Sequence, residues 1–152
     1  MTRIRRATAA DADAAADLYV RARRHAVPAI PPLRPPEDGA RTWLAGVVRR
    51  GDEVWLAESG TGEVVAVMVL GDEWIEQLYV GPAWTGRGIG TRLVEMAKEL
   101  RPDGLQLWTF QSNVGARRFY ERHGFVAEEW TDGRGNQERA PDVRYVWRPA
   151  RP

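Results

Sequence analysis

The chain has 152 residues, 43% of them hydrophobic and 28% charged, with a net charge of +1. That length and balance predict one domain, residues 1–152, with a sizeable core, and give no electrostatic reason to expect nucleic acid or an anionic membrane as partner. Without cysteine there are no disulfides, no thiolate catalysis and no cysteine-held metal; with no bilayer-length apolar stretch and no signal-type apolar core in residues 1–16, the expected compartment is the cytoplasm.

Residues 3–7 read as a first strand. Thr8 and Asp11 then form a short capping box for a helix whose apolar face is Ala15, Leu18, Tyr19 and Ala22. Arg21, Arg23 and Arg24 crowd its last turn and read as a solvated helix end that complements the dipole. Residues 28–36 hold five prolines and cannot be helix interior. They fit either a plain linker or a stiff wall beside a site. Residues 37–50 return to helix, with Trp43, Leu44 and Val47 on one side. Residues 54–58, 64–70 and 74–80 are strands joined by the turns 59–62 and 71–72, which makes an antiparallel meander.

Gly81-Pro82 stops the third of these, because proline gives no N–H to a ladder. Gly86, Gly88 and Gly90 follow, and a helix begins among them with Ile89, Leu93, Met96, Ala97 and Leu100 on one face. Strand, glycine-rich turn and helix in that order place unpartnered N–H groups and the positive end of a dipole where an anion, typically a phosphate, can sit. A Walker A loop is disfavoured, since Arg92 follows Thr91 and the loop has no lysine. A dinucleotide fingerprint fails as well, since Thr91 stands where its last glycine belongs.

Residues 105–110 form the next strand, and strand–helix–strand predicts a right-handed parallel crossover. Asn113 caps a further helix that turns Ala116, Phe119 and Tyr120 one way and stops at Gly124. Residues 125–130 and 143–147 are strands around a polar loop, 131–141. His25 and His123 are far apart and read as helix-end residues, so no metal site is expected.

The segment 78–90 resembles the acetyl-CoA-binding motif of the GNAT N-acetyltransferases, Gln/Arg-x-x-Gly-x-Gly/Ala. Gly88 and Gly90 match its small residues, and Thr85 departs from its first position. A second signature, Asn113-x-x-Ala116-Arg117-x-Phe119-Tyr120-Glu121-x-x-Gly124-Phe125, follows at the expected distance. The element order resembles the same family over residues 3–148. The resemblance implies an α+β fold: a mixed, largely antiparallel central sheet of six to seven strands flanked by about four helices.

It also implies an acetyl-CoA-dependent N-acetyltransferase acting on a primary amine by direct attack in a ternary complex. Leu78 N–H would face the reacting carbonyl oxygen, Tyr79 and Val80 would lie along the pantetheine, and the strand would splay from residues 105–110. Thr85, Gly86, Arg87, Gly88, Ile89, Gly90 and Thr91 would hold the pyrophosphate. Asn113, Ala116 and Phe119 would flank the sulfur end, where Tyr120 protonates the leaving thiolate. On a regular strand Trp74, Glu76, Leu78 and Val80 share a face. Glu76 is then a general base, a binder of a cationic acceptor, or a solvent-facing charge, all three left open. Glu138 and Asp142 are within reach of the same pocket, and Tyr19, Trp43 and residues 28–36 are candidate walls. Pairing through the last strands is common in such proteins, so a homodimer is among the expectations. The competing reading is a non-catalytic acyl-CoA-binding or regulatory module on the same fold.

Overall fold

The computed structural model describes residues 1–32 and 37–150. Strands and helices run in the order β1 (Arg3–Arg6), α1 (Ala12–Ala26), α2 (Glu37–Arg49), β2 (Val54–Glu58), β3 (Val64–Leu70), β4 (Ile75–Val80), α3 (Ile89–Leu100), β5 (Leu105–Phe110), α4 (Val114–Arg122), β6 (Val126–Trp130) and β7 (Asp142–Trp147). They make two antiparallel sheets, β1-β2-β3-β4 and β5-β7-β6. The mixed α+β architecture is the expected one. The β4–α3–β5 crossover is parallel at a single bridge, Trp74 to Gln106, where Gln106 N–H donates to Glu73 O at 2.8 Å.

β3 explains the layering. Its sequence, Val-Val-Ala-Val-Met-Val-Leu, has no polar face, and every residue is buried. A strand covered on both sides reads as a continuous apolar run. Val67 and Val69 pack with α1 and α2, while Ala66, Met68 and Leu70 pack with α3 and β5. The start of α1 is tied to β1 by Arg5, whose guanidinium donates two 2.8 Å bonds to Asp11. Asp11 also accepts the Thr8 N–H at 2.8 Å, so the expected capping pair forms, on a 3-10 turn that leads into α1.

Three expectations about faces change. The buried side of α3 is Ile89, Leu93, Val94 and Ala97, whereas Leu100 is exposed at the helix end. On α2, Leu44 and Val47 are buried, but Trp43 is 45% exposed and leans on Tyr19 with ring centroids 6.0 Å apart. In β4 the register passes from Leu70–Ile75 to Val69–Gln77, leaving Glu76 as an extra, bulged residue. A bulge resets side-chain alternation. Ile75, Leu78 and Val80 therefore face α3, and Tyr79 faces α1. Glu76 does not share a regular face with Leu78 and Val80.

Of the proline-rich stretch, residues 28–32 are described. Ile30 is buried, and Ala29 O accepts a hydrogen bond from Ser112 Oγ at 2.5 Å. Pro35 and Pro36 lie outside the described residues. The loop 131–141 is held by side chains. Asn136 Nδ2 donates to Ala140 O at 2.7 Å, and Gln111 Nε2 donates to Thr131 O at 2.9 Å.

Candidate active site

The edge of β4 is the first component. Gly81 N–H donates to Val65 O at 2.8 Å, which fixes the phase of the strand. Main-chain groups alternate sides along a strand, so those of Tyr79 point to β3 and those of Leu78 and Val80 point towards β5. No strand pairing joins β4 and β5 there; the two sheets part after the Trp74 bridge. Leu78 and Val80 thus present an unpaired edge inside the wedge.

The glycine turn continues from that edge. Pro82–Trp84 form a 3-10 turn, and Thr85 Oγ1 donates to Pro82 O at 3.3 Å. Gly86 and Gly88 have φ of 76° and 81°, a region that disfavours side chains, and Gly88 caps α3. Arg92 N–H donates to Gly88 O at 3.1 Å as the helix closes its first turn. The N–H groups of Ile89, Gly90 and Thr91 precede that bond and have no intrahelical acceptor. Arg87 is exposed, with its guanidinium 4.6 Å over the Trp84 ring. At Gly90 a Cβ would lie 3.2 Å from Phe119 Cζ, so glycine lets α4 close on α3.

Asn113 caps α4, its Oδ1 accepting the Ala116 N–H at 3.2 Å. One turn on, Phe119 packs edge-on to Tyr120 at 5.2 Å. Tyr120 is buried beside Phe125 and Tyr145, and its hydroxyl makes no hydrogen bond among the described residues. Burial, and secondarily Tyr79, pushes its phenol well above the usual value, so it keeps its proton. His123, the C-cap of α4, sits 3.2 Å from Thr91 Oγ1 and ties the end of α4 to the start of α3. Burial and the Lys98 ammonium lower its pKa. His25 lies in the last turn of α1.

On the other face of β4 lies a cavity of about 860 Å³ between α1, α2, the outer end of β5 and the loop before β7. Tyr19, Trp43, Glu138 and Asp142 line it, and so does Glu76. Glu76 is exposed, and its carboxylate lies against Gly71, where a Cβ would meet Oε1 at 2.8 Å. Tyr79 meets Tyr19 edge-on at 5.3 Å, and burial pushes its phenol up to about 12. None of residues 28–32 lines the cavity.

Arg23 is the residue that sequence reasoning misplaced. It is 5% exposed and lines the cavity, whereas the solvated role fits Arg21 and Arg24. Its spacing held the signal: four residues after Tyr19 and next to Ala22, it continues the buried stripe of α1. Gln77, Thr109 and Phe110, also in the lining, gave no such signal. Among the described residues no His, Cys, Asp and Glu cluster could hold a metal, and no helix is long and apolar enough to cross a membrane.

The fold and site together define an α+β protein with unpartnered N–H groups at the mouth of α3 beside an opened sheet edge. A family profile described as an acetyltransferase (GNAT) domain matches residues 50–127, and the chain belongs to that family. It is similar to the peptidyl-lysine N-acetyltransferase YjaB of Salmonella typhimurium, 38% identical over 72 residues that cover 47% of this chain and 49% of that one. The chain spans about half the length of the curated relatives it matches. Among solved structures, apo-form YjaB of Escherichia coli has a TM-score of 0.72 at 22% identity, covering 99% of both chains. The PaiA N-acetyltransferase of Thermoplasma acidophilum, solved with coenzyme A, has a TM-score of 0.74 at 16% identity over 97% of this chain and 99% of that one.

Proposed function

We propose that this protein is a cytoplasmic N-acetyltransferase that moves an acetyl group from acetyl-CoA to a primary amine by direct attack in a ternary complex. The observation that carries the reading is the unpaired main chain of Leu78 and Val80, continuous with the glycine mouth of α3 and adjoining the α4 face that bears Tyr120. The parts fit the cosubstrate group by group. Free N–H groups at residues 89–91 suit a diphosphate, with Gly86 and Gly88 leaving open space in front of them. Arg87 adds positive charge, and Thr85 shapes the turn through its bond to Pro82. The Val80 edge suits an amide chain, and Asn113, Ala116 and Phe119 form the wall opposite.

Acetyl-CoA supplies an activated carbonyl. The amine nitrogen bonds to that carbon, the carbon–sulfur bond breaks, the nitrogen loses a proton and the sulfur gains one. Leu78 N–H stabilises charge on the carbonyl oxygen, and Tyr120 donates to the sulfur. An unshifted phenol near ~10 against a thiol near ~8.5 makes full transfer uphill by roughly 2 kcal/mol. Burial of Tyr120 raises that further, so donation is partial in the transition state. Glu76 takes the amine proton through water or holds a cationic acceptor.

Calorimetry with coenzyme A and thiol release from acetyl-CoA against an amine panel, including a lysine peptide, test this. Micromolar binding with turnover of at least one amine is expected. Binding without any turnover would make the chain a non-catalytic acyl-CoA module, and no binding at all would end the assignment.

A further inference from the structure

We infer that the acceptor of this site carries a carboxylate, which Arg23 binds; the acceptor class is thus small amino carboxylates such as amino acids. This rests on the acetyl-transfer reading above. Arg23 is 95% buried, yet its guanidinium is poorly met. Nη1 reaches Tyr19 OH and Nη2 reaches Glu138 Oε1, each at 3.4 Å, beyond the usual range for such bonds. Nε has no partner among the described residues. The rings of Tyr19, Tyr79 and Phe110 stand about the cation at 6.0, 5.9 and 6.0 Å. Ring faces favour the charge but take no in-plane N–H. A guanidinium has five donors in one plane, and a buried one left half-satisfied is unfavourable unless something completes it.

The missing partner has a definite shape. A carboxylate fits the guanidinium fork with two parallel bonds. Glu138, on the loop before β7, offers Arg23 one long contact and so leaves that geometry unfilled. The neighbouring lining acid, Asp142 at the start of β7, is committed elsewhere: it accepts from Thr131 Oγ1 and from Asn136 Nδ2. Glu76 has no hydrogen-bond partner among the described residues and remains for the ammonium end. A cation at Arg23 and a carboxylate at Glu76, on the walls of one cavity of about 860 Å³, match a small molecule that bears both charges. Arg24, by contrast, is exposed and satisfied by Glu37 at 2.8 and 2.5 Å.

The test compares each of the common amino acids with its carboxamide and its decarboxylated amine, by thiol release and by ligand-observed NMR with coenzyme A present. The wild-type protein should favour at least one amino acid over both analogues by about thirtyfold or more. Arg23→Gln should abolish that preference through KM while the acetyl-CoA KM stays constant. Arg23→Lys should restore part of it. Should Arg23 variants fail to fold, Glu138→Gln, which removes the resident anion, should lower the amino-acid KM several-fold. Equal handling of acid and amide overturns the inference while leaving acetyl transfer intact. The NMR arm needs no turnover: no carboxylate binding overturns the inference even if the protein proves inactive. Failure to bind coenzyme A marks instead the loss of the functional reading.

Discussion

On the α3 side of β4 the groups offered to a ligand belong to the main chain: the Leu78 and Val80 edge and the first N–H groups of α3. On the α1 side they are side chains, drawn from α1, α2, the β4 bulge and the loop before β7. A main-chain site depends on what the sequence leaves out, namely side chains at Gly86, Gly88 and Gly90. A side-chain site depends on charges carried together from more than a hundred residues apart, as Arg23 and Glu138 are. The two should therefore fail differently, and substitutions can show whether they are independent.

Tyr120 packs on the α3 side, in one cluster with Leu78, Val80 and Phe119, and its loss should have the largest effect. Tyr120→Phe keeps the ring packing with Phe119 and Phe125 and removes only the hydroxyl. Turnover should fall about a hundredfold or more with acetyl-CoA affinity retained. An unchanged kcat would remove Tyr120 from the chemistry.

Gly88→Val separates the two sides. A β-branched residue at φ 81° is strained, and its side chain enters the space before the helix mouth. Acetyl-CoA affinity should drop roughly tenfold to a hundredfold, with acceptor KM constant at saturating cosubstrate. The converse is Gly133→Ala. A Cβ there would lie 2.3 Å from the Ala140 carbonyl carbon, so the loop carrying Glu138 must shift. Acceptor KM should rise about tenfold while calorimetry with coenzyme A is unchanged. If either glycine affects both ligands alike, the two sides are one cooperative unit.

The same difference governs what could be read from the chain. The glycine turn and the Asn113–Phe125 segment were legible because a backbone site constrains residue type locally: Gly88 must be left-handed, Gly90 must admit Phe119, and Asn113 must cap α4. The meander was legible because β3 is apolar throughout and short turns flank it. The cavity on the α1 side was legible only in part: Tyr19, Trp43, Glu76, Glu138 and Asp142 were expected at a pocket and line it, whereas Arg23 was not expected there. An arginine in a last helical turn is ordinarily solvated, and nothing near Arg23 in sequence announces Tyr79, Phe110 or Glu138. The bulge at Glu76 was missed because regular alternation from Trp74 also puts Leu78 and Val80 on one face; the pairing with β3 shows the extra residue. Spacing put Trp43 on the side of Leu44 and Val47, yet it is exposed and lines the cavity, as expected of a candidate wall.

Glu76 offers a smaller effect that sharpens the acceptor side. If it takes the proton, Glu76→Gln should lower kcat several-fold and remove the low-pH limb of the rate profile. If it binds the ammonium, acceptor KM should rise at all pH values with kcat retained. A variant that matches wild type in both would leave Glu76 as surface charge.

The smallest expected effect lies at the joint of α3 and α4. Folding lowers the His123 pKa, through burial and the nearby Lys98 ammonium. Between the folded value and the unfolded value near ~6.5, the unfolded chain holds more protons. Stability from this residue is therefore fully present above about pH 6.5 and is lost as pH falls through that window. Urea unfolding at pH 7.5 and pH 5.5 should show a larger loss for wild type than for His123→Asn, which cannot titrate. Carboxylates that titrate lower are common to both proteins and cancel in the difference. Because Thr91 Oγ1 meets His123 at 3.2 Å in the first turn of α3, protonation should also loosen the glycine turn. In that case coenzyme A binds the form with neutral His123 more tightly, and its presence enlarges the pH dependence. The same dependence with and without coenzyme A would show that the joint is structural and stands apart from the main-chain site.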